Sequence, residues 1–138
     1  MKSALLIDDD QGVIASVSTS LIGFAKKQTH TVTKAIEALQ AHDFDVVFLD
    51  LKLPDSSPER TLEMLPMLRR LAGDAAFILM TGYPSEIGNA KFAVDCILQK
   101  PFHSGHVREA LEAAMLTQAR DCVTARCERM AKTLLAFT

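Results

Sequence analysis

The sequence predicts an α/β fold built on a five-stranded parallel sheet, doubly wound as (βα)5, with a C-terminal helical extension. Three observations carry that reading. Apolar, β-favouring runs alternate along the chain with segments whose apolar residues recur at three- and four-residue steps. The run Val46-Val47-Phe48-Leu49 shows no polar alternation, which suits a strand covered on both faces, as in a parallel sheet. Four of the five runs also stop at polar residues of a useful type, namely Asp8 and Asp9, Asp50, Thr81 and Lys100. Alternation of this kind implies right-handed crossovers with helices on both faces. Ligands in such sheets bind outside the carboxyl ends of the strands, so these side chains are expected in one crevice.

Taken in order, Ala4 to Ile7 is a short apolar strand running into Asp8-Asp9-Asp10, and Ile14, Val17, Leu21 and Phe24 then mark a first crossover helix. Thr29 to Thr33 is rich in β-branched residues and is expected to be an outer strand. Lys34 to Ala41 follows as a short helix with Ile36 and Leu39 inward, and Val46 to Asp50 is the central strand. Ser57 fits an N-cap, with Pro58 at the first helical position and Glu59 in the first turn of a third helix. Leu62, Leu65, Leu68 and Leu71 hold its spacing, Pro66 is expected to kink or restart it, and Gly73-Asp74 ends it. Ala76 to Met80 is the fourth strand, Ser85 caps a short fourth helix to about Phe92, and Ala93 to Leu98 is the fifth strand. Ser104 is expected to cap a last helix with Val107, Leu111, Ala114 and Met115 inward.

The 138 residues suffice for one domain with a short appendage, divided here as 1–118 and 119–138. A formal charge of −2 with no basic block leaves no electrostatic footprint for direct nucleic-acid binding or for an anionic membrane. The N-terminal apolar patch is too short, and too soon followed by acids, for a signal peptide, and no run approaches the ~20 apolar residues of a membrane span. Cys96, Cys122 and Cys127 lack C-x-x-C spacing and fit reduced thiols, so the protein is expected in the cytoplasm. His103 and His106 stand three apart, but two ligands without a third fit solvated surface better than a metal site.

Asp8 and Asp9 facing Asp50 concentrate negative charge at a cost that a cation would offset. Mg2+ suits such oxygen ligands, being held by one or two carboxylates together with a phosphate. Lys100 supplies a compact positive charge for an anionic oxygen, and Thr81 a hydroxyl that both donates and accepts. Acids, metal, ammonium and hydroxyl together make a site for a phosphoryl group on a carboxylate, with Asp50 attacking. The plainer alternative is a Lys100 salt bridge with Thr81 capping a helix.

These residues carry a resemblance to the receiver domains of response regulators in two-component signalling. Leu5-Leu6-Ile7-Asp8-Asp9-Asp10, Val47-Phe48-Leu49-Asp50-Leu51-Lys52-Leu53-Pro54-Asp55, Met80-Thr81-Gly82-Tyr83 and Lys100-Pro101-Phe102 each resemble a receiver motif, in the right order, from Met1 to about Gln118. The resemblance implies the strand order 2-1-3-4-5 and names Asp50 as phospho-acceptor. It implies that Asp9 binds Mg2+ directly, Asp8 through water, and Lys52 through its backbone carbonyl. Thr81 would be the switch hydroxyl, Lys100 the phosphate contact, and Lys100-Pro101 a cis peptide. The implied function is a stand-alone receiver of a phosphorelay, phosphorylated by a histidine kinase or phosphotransfer protein and signalling to a downstream protein partner, with no enzymatic turnover beyond its own phosphorylation and dephosphorylation. The alternatives are an aspartyl-nucleophile, Mg2+-dependent phosphatase and a degenerate receiver that serves only as an interaction module. The phosphatases carry a second acid two residues past the nucleophile, where this chain has Lys52.

Three departures from the family pattern stand out. Ile97 occupies the place where the family often has an aromatic, the stretch from Thr81 to Lys100 is shorter by roughly a helical turn, and the second strand-to-helix connection is also short. Lys52 and Tyr83, each two residues beyond a site residue, are expected to reach over the phosphoryl group and slow its hydrolysis. Past Gln118, Val123, Cys127, Met130, Leu134 and Phe137 continue a heptad seam from Leu116 and Arg120. That seam is expected to pair with a second copy in a homodimer or with a partner's helix; the alternative is a tail folded back over its own domain.

Overall fold

Strand-forming runs buried on both faces organise the molecule. The computed structural model describes residues 1–117. Its strands are β1 (Ser3–Ile7), β2 (Ala25–Thr29), β3 (Val46–Asp50), β4 (Ala76–Thr81) and β5 (Cys96–Gln99). Its helices are α1 (Gln11–Thr19), α2 (Val32–Ala41), α3 (Pro58–Ala72) and a final α4 over residues 104–117. The strands pair in parallel in the order β2-β1-β3-β4-β5. The expected five-stranded parallel sheet with helices on both faces and the strand order are both observed.

Alternate residues of each central strand serve opposite cores. Leu5, Ile7, Val47, Leu49, Phe77 and Leu79 pack under α2 and α3. Leu6, Phe48, Ile78 and Met80 pack under α1 and α4. Phe48 and Phe77 have no exposed surface, and burying each is worth on the order of 2–3 kcal/mol. This two-sided burial explains why β3 and β4 read as unbroken apolar runs.

Three elements lie elsewhere than their residue patterns suggest. The outer strand is Ala25–Thr29 rather than Thr29 to Thr33, and its first four residues are exposed. An edge strand with one bare side does not need β-branched residues, and exposed lysines at a sheet edge discourage pairing with another chain. Thr31 instead caps α2, its hydroxyl accepting from the Lys34 N–H, which leaves Val32 as the first buried residue of that helix. The first helix ends at Thr19, and Leu21 is buried in the turn beyond it. The fifth strand begins at Cys96 rather than Ala93.

The expected fourth helix is replaced by two 3-10 turns, Pro84–Glu86 and Gly88–Ala93, neither with a side-chain cap. Gly88 takes φ of 57°, which breaks the hydrogen-bond ladder that a helix across this stretch would need. Ser57, Pro58 and Glu59 start α3 as expected, and the helix runs unbroken through Pro66 to Ala72. The last helix is capped by His103 rather than Ser104. His103 Nδ1 accepts the Gly105 N–H at 3.1 Å, and His106 Nδ1 accepts the His103 N–H at 3.3 Å. Two stacked imidazoles, 3.7 Å between centroids, thus form a reciprocal capping box. A side chain at position 105 would stand 2.9 Å from the His103 ring, so glycine is needed there. Among the described residues no helix is long and apolar enough to cross a membrane. The division at residue 118 and the heptad seam of 119–138 lie outside the described residues.

Candidate functional site

Strand register delivers the site. Ile7 pairs with Leu49 and Asp50 with Met80, so Asp8, one residue past β1, stands level with Asp50. Thr81 ends β4, and its carbonyl accepts the Lys100 N–H at 2.8 Å, which fixes the residue beyond β5 alongside. The Lys100-Pro101 bond is cis, as the resemblance implies.

Lys100 Nζ lies 3.0 Å from Asp8 Oδ2 and 3.2 Å from Asp50 Oδ1, and both acids are buried. Asp9 is exposed, yet one oxygen from each of Asp8, Asp9 and Asp50 falls within 4.8 Å of the others. Among the described residues these three are the acids, histidines and cysteines close enough to share one ion. Burial pushes the Asp50 carboxyl up from 3.8 to about 6 and the Asp8 charge adds to the rise, while Lys100 and the Lys52 N–H pull against it. Burial tends to lower the Lys100 ammonium, but the charges of Asp50 and Asp8 outweigh it and hold the group above its ordinary value. One ammonium among three carboxylates leaves two negative charges without an opposite partner. A hard divalent cation fits both the oxygen donor set and that deficit.

The other expected site residues take distinct places. Thr81 is buried at the same edge and its oxygen accepts the Tyr83 N–H at 3.0 Å, leaving its own O–H to donate. Lys52 turns its N–H toward Asp50 while its ammonium stands 5.3 Å from the centre of the Tyr83 ring, a cation–π contact between the two residues. Ile97 packs into the core under α2 and α3. His103 and His106 are engaged at the cap of α4, away from the acids.

Residue patterns left three contributors unassigned. Asp10 caps α1 by accepting the N–H groups of Gly12 and Val13, a role its place just before a helical pattern signals. His30 Nδ1 lies 3.0 Å from the Asp8 carbonyl, and because a carbonyl only accepts, Nδ1 carries the hydrogen. Asp55 accepts from Val32 and Thr33, residues remote in sequence, and nothing local signals it. Its slight burial works to raise its carboxyl, but these hydrogen bonds prevail and hold it below the ordinary value.

Comparison with known proteins agrees with this geometry. The family model for the response regulator receiver domain matches residues 4–112. The cell cycle response regulator CtrA of Brucella ovis is 27% identical over 111 residues, covering 79% of this chain and 48% of that protein. The chain therefore spans about half the length of the curated relatives it matches. Among solved structures, a CheY-like receiver domain protein from Methanospirillum hungatei superposes with a TM-score of 0.75 at 23% identity, covering 88% of this chain and 98% of that one, a likeness of fold. A response regulator from Burkholderia pseudomallei, solved with a phosphorylated aspartic acid, calcium and citrate, gives a TM-score of 0.70 at 25% identity, covering 99% of this chain and 85% of that one. With the receiver motif set spread over four strand ends and the family model spanning most of the sequence, the chain belongs to the response regulator receiver domains of two-component systems.

Proposed function

We propose that Asp50 receives a phosphoryl group from a phosphohistidine of a histidine kinase or phosphotransfer protein in a Mg2+-dependent reaction, and that the phosphorylated protein signals by binding a downstream protein partner. The observation that carries this reading is the pairing of a buried nucleophile with an ammonium 3.2 Å away inside a crevice short of positive charge. The phosphorylated aspartic acid and bound calcium of the Burkholderia pseudomallei response regulator support it.

Asp8, Asp9, Asp50 and the Lys52 carbonyl would hold the metal, which supplies positive charge to the transferred oxygens. The Asp50 oxygen attacks phosphorus and forms the acyl phosphate bond as the bond to the donor imidazole nitrogen breaks, the electron pair leaving on nitrogen. Lys100 Nζ then turns from Asp50 to a phosphoryl oxygen, and Thr81 donates its O–H to another. A cavity of about 470 Å³ between α1 and the Lys100 to Phe102 segment opens beside the crevice and gives a donor ring room to approach. The protein receives and releases a phosphoryl group and acts on no separate substrate. Lys52 stands where a general acid would be required, which favours a receiver over a phosphatase.

Incubation with a phosphorylated histidine donor, with and without EDTA, tests the reading. Transfer that requires Mg2+ and is lost in Asp50→Asn is expected; transfer that survives either change would refute it.

A further inference from the structure

The connection between β2 and α2 is tied to the acid crevice at two points. On one side His30 Nδ1 donates to the Asp8 carbonyl at 3.0 Å. On the other, Asp55 Oδ1 accepts the Val32 N–H at 2.8 Å, and Oδ2 accepts the Thr33 N–H at 3.1 Å and the Thr33 O–H at 3.0 Å. Val32 and Thr33 open α2, where N–H groups have no acceptor within the helix, and Thr31 covers only Lys34. A carboxylate from 23 residues away completes the cap, with its charge at the favourable end of the helix dipole.

Asp55 belongs to the short loop that leaves β3 just past Asp50. Leu51 and Leu53 are buried there, and the Ser56 N–H closes onto the Leu53 carbonyl at 3.2 Å. Between the two leucines, exposed Lys52 aims its N–H at Asp50. The orientation of the Lys52 peptide therefore depends on where this loop is pinned, and its charged anchor is Asp55.

We propose that Asp55 is a positioning residue for the metal site, pinning the loop to α2 so that the Lys52 peptide keeps its place beside Asp50; the role rests on the phospho-acceptor reading above. Asp55 touches neither metal nor phosphoryl group. It acts through the loop, as outer partners of a metal site act through the ligands they orient.

The test is a calorimetric Mg2+ titration, paired with the Mg2+ dependence of phosphodonor labelling, on the wild type, Asp55→Ala, Asp55→Asn and Thr31→Ala. Asp55→Ala is expected to bind Mg2+ about tenfold more weakly yet reach, at saturating Mg2+, labelling within about twofold of the wild type. Asp55→Asn, which keeps a capping oxygen but not the charge, should stay within about threefold. Thr31→Ala weakens the same helix start without touching the loop and should bind Mg2+ as the wild type does. Thr33→Val removes one of Asp55's contacts and replaces Asp55→Ala if that variant does not fold, with about threefold weakening expected. Wild-type affinity in Asp55→Ala, or in Thr33→Val where it stands in for Asp55→Ala, an equal loss in Asp55→Asn and Asp55→Ala, or an equal loss in Thr31→Ala would each overturn the positioning role. A wild type that binds no Mg2+ would instead remove the phospho-acceptor reading on which the role stands.

Discussion

The strand ends and the crossover after Thr81 follow opposite strategies. At the strand ends, buried Asp8 and Asp50 share one ammonium, and each side chain is held by a strand packed on both faces. In the crossover, two 3-10 turns stand in place of a helix, with Phe92 mostly exposed and Ile87 its buried anchor. The difference teaches where this receiver spends structural constraint. Chemistry that needs sub-ångström placement sits on the rigid sheet, while the surface beyond Thr81 hangs from a few attachments.

One attachment is strong, and breaking it gives the largest expected effect. The Asp95 carboxylate is buried and takes the Arg69 guanidinium at 3.0 Å and the Phe77 N–H at 2.8 Å, joining the end of the crossover to α3 and β4. Asp95→Ala leaves the Phe77 amide without its acceptor and the partly buried Arg69 guanidinium with only the Ala75 carbonyl, and should cost about 3 kcal/mol in denaturant unfolding. A loss under about 0.5 kcal/mol would show that the crossover is held by other means.

The second effect has the opposite sign and lies at the strand ends. Because the folded-state pKa of Asp50 is raised to about 6, its stabilising contribution is present below its ordinary value of 3.8 and disappears as pH rises through about 6. Metal-free Asp50→Asn is therefore expected to exceed the wild type in stability by on the order of 2–3 kcal/mol near about pH 7.5, and to lose that advantage toward about pH 4. Mg2+ should narrow the gap by binding the folded wild type more tightly. Parallel stability profiles against pH would contradict the charge account of the crevice.

A smaller effect is expected where the two regions meet. The Lys52 ammonium stands 5.3 Å from the centre of the Tyr83 ring, and the expectation that this pair shields the phosphoryl group predicts that Tyr83→Ala speeds loss of the Asp50 label several-fold by admitting water, a change of about 1 kcal/mol in barrier. Equal decay in Tyr83→Ala and Lys52→Ala to that of the wild type would show that the pair shields nothing. The smallest effect belongs to Phe92→Ser, which should shift stability by less than about 0.5 kcal/mol because that ring is 80% exposed.

The same contrast governs what was legible in the sequence. Val46–Asp50 and Ala76–Thr81 were plain because burial on both faces demands an apolar run, and the polar residue that ends each run marks the crevice. Asp8, Asp9, Asp50 and Lys100 could be assembled from that logic, and they meet as expected. Ala25–Thr29 was hidden because an exposed edge strand takes its conformation from β1 rather than from its own side chains. The crossover misled because Ser85 looks like a cap, whereas Gly88 at positive φ divides the stretch. Asp55, His103 and His106 were illegible for a different reason. A capping carboxylate 23 residues distant, and a ring that accepts from the backbone beside a neighbouring ring, leave no local periodicity to read.

The central claim is that Asp50, balanced between burial and Lys100, is the group that accepts phosphorus. Intact mass after incubation with a small-molecule phosphodonor and Mg2+ tests it most directly. The wild type should gain the mass of one phosphoryl group, lost again when EDTA precedes the donor, and Asp50→Asn should gain none. The same added mass on Asp50→Asn, or on the wild type without metal, would contradict the account.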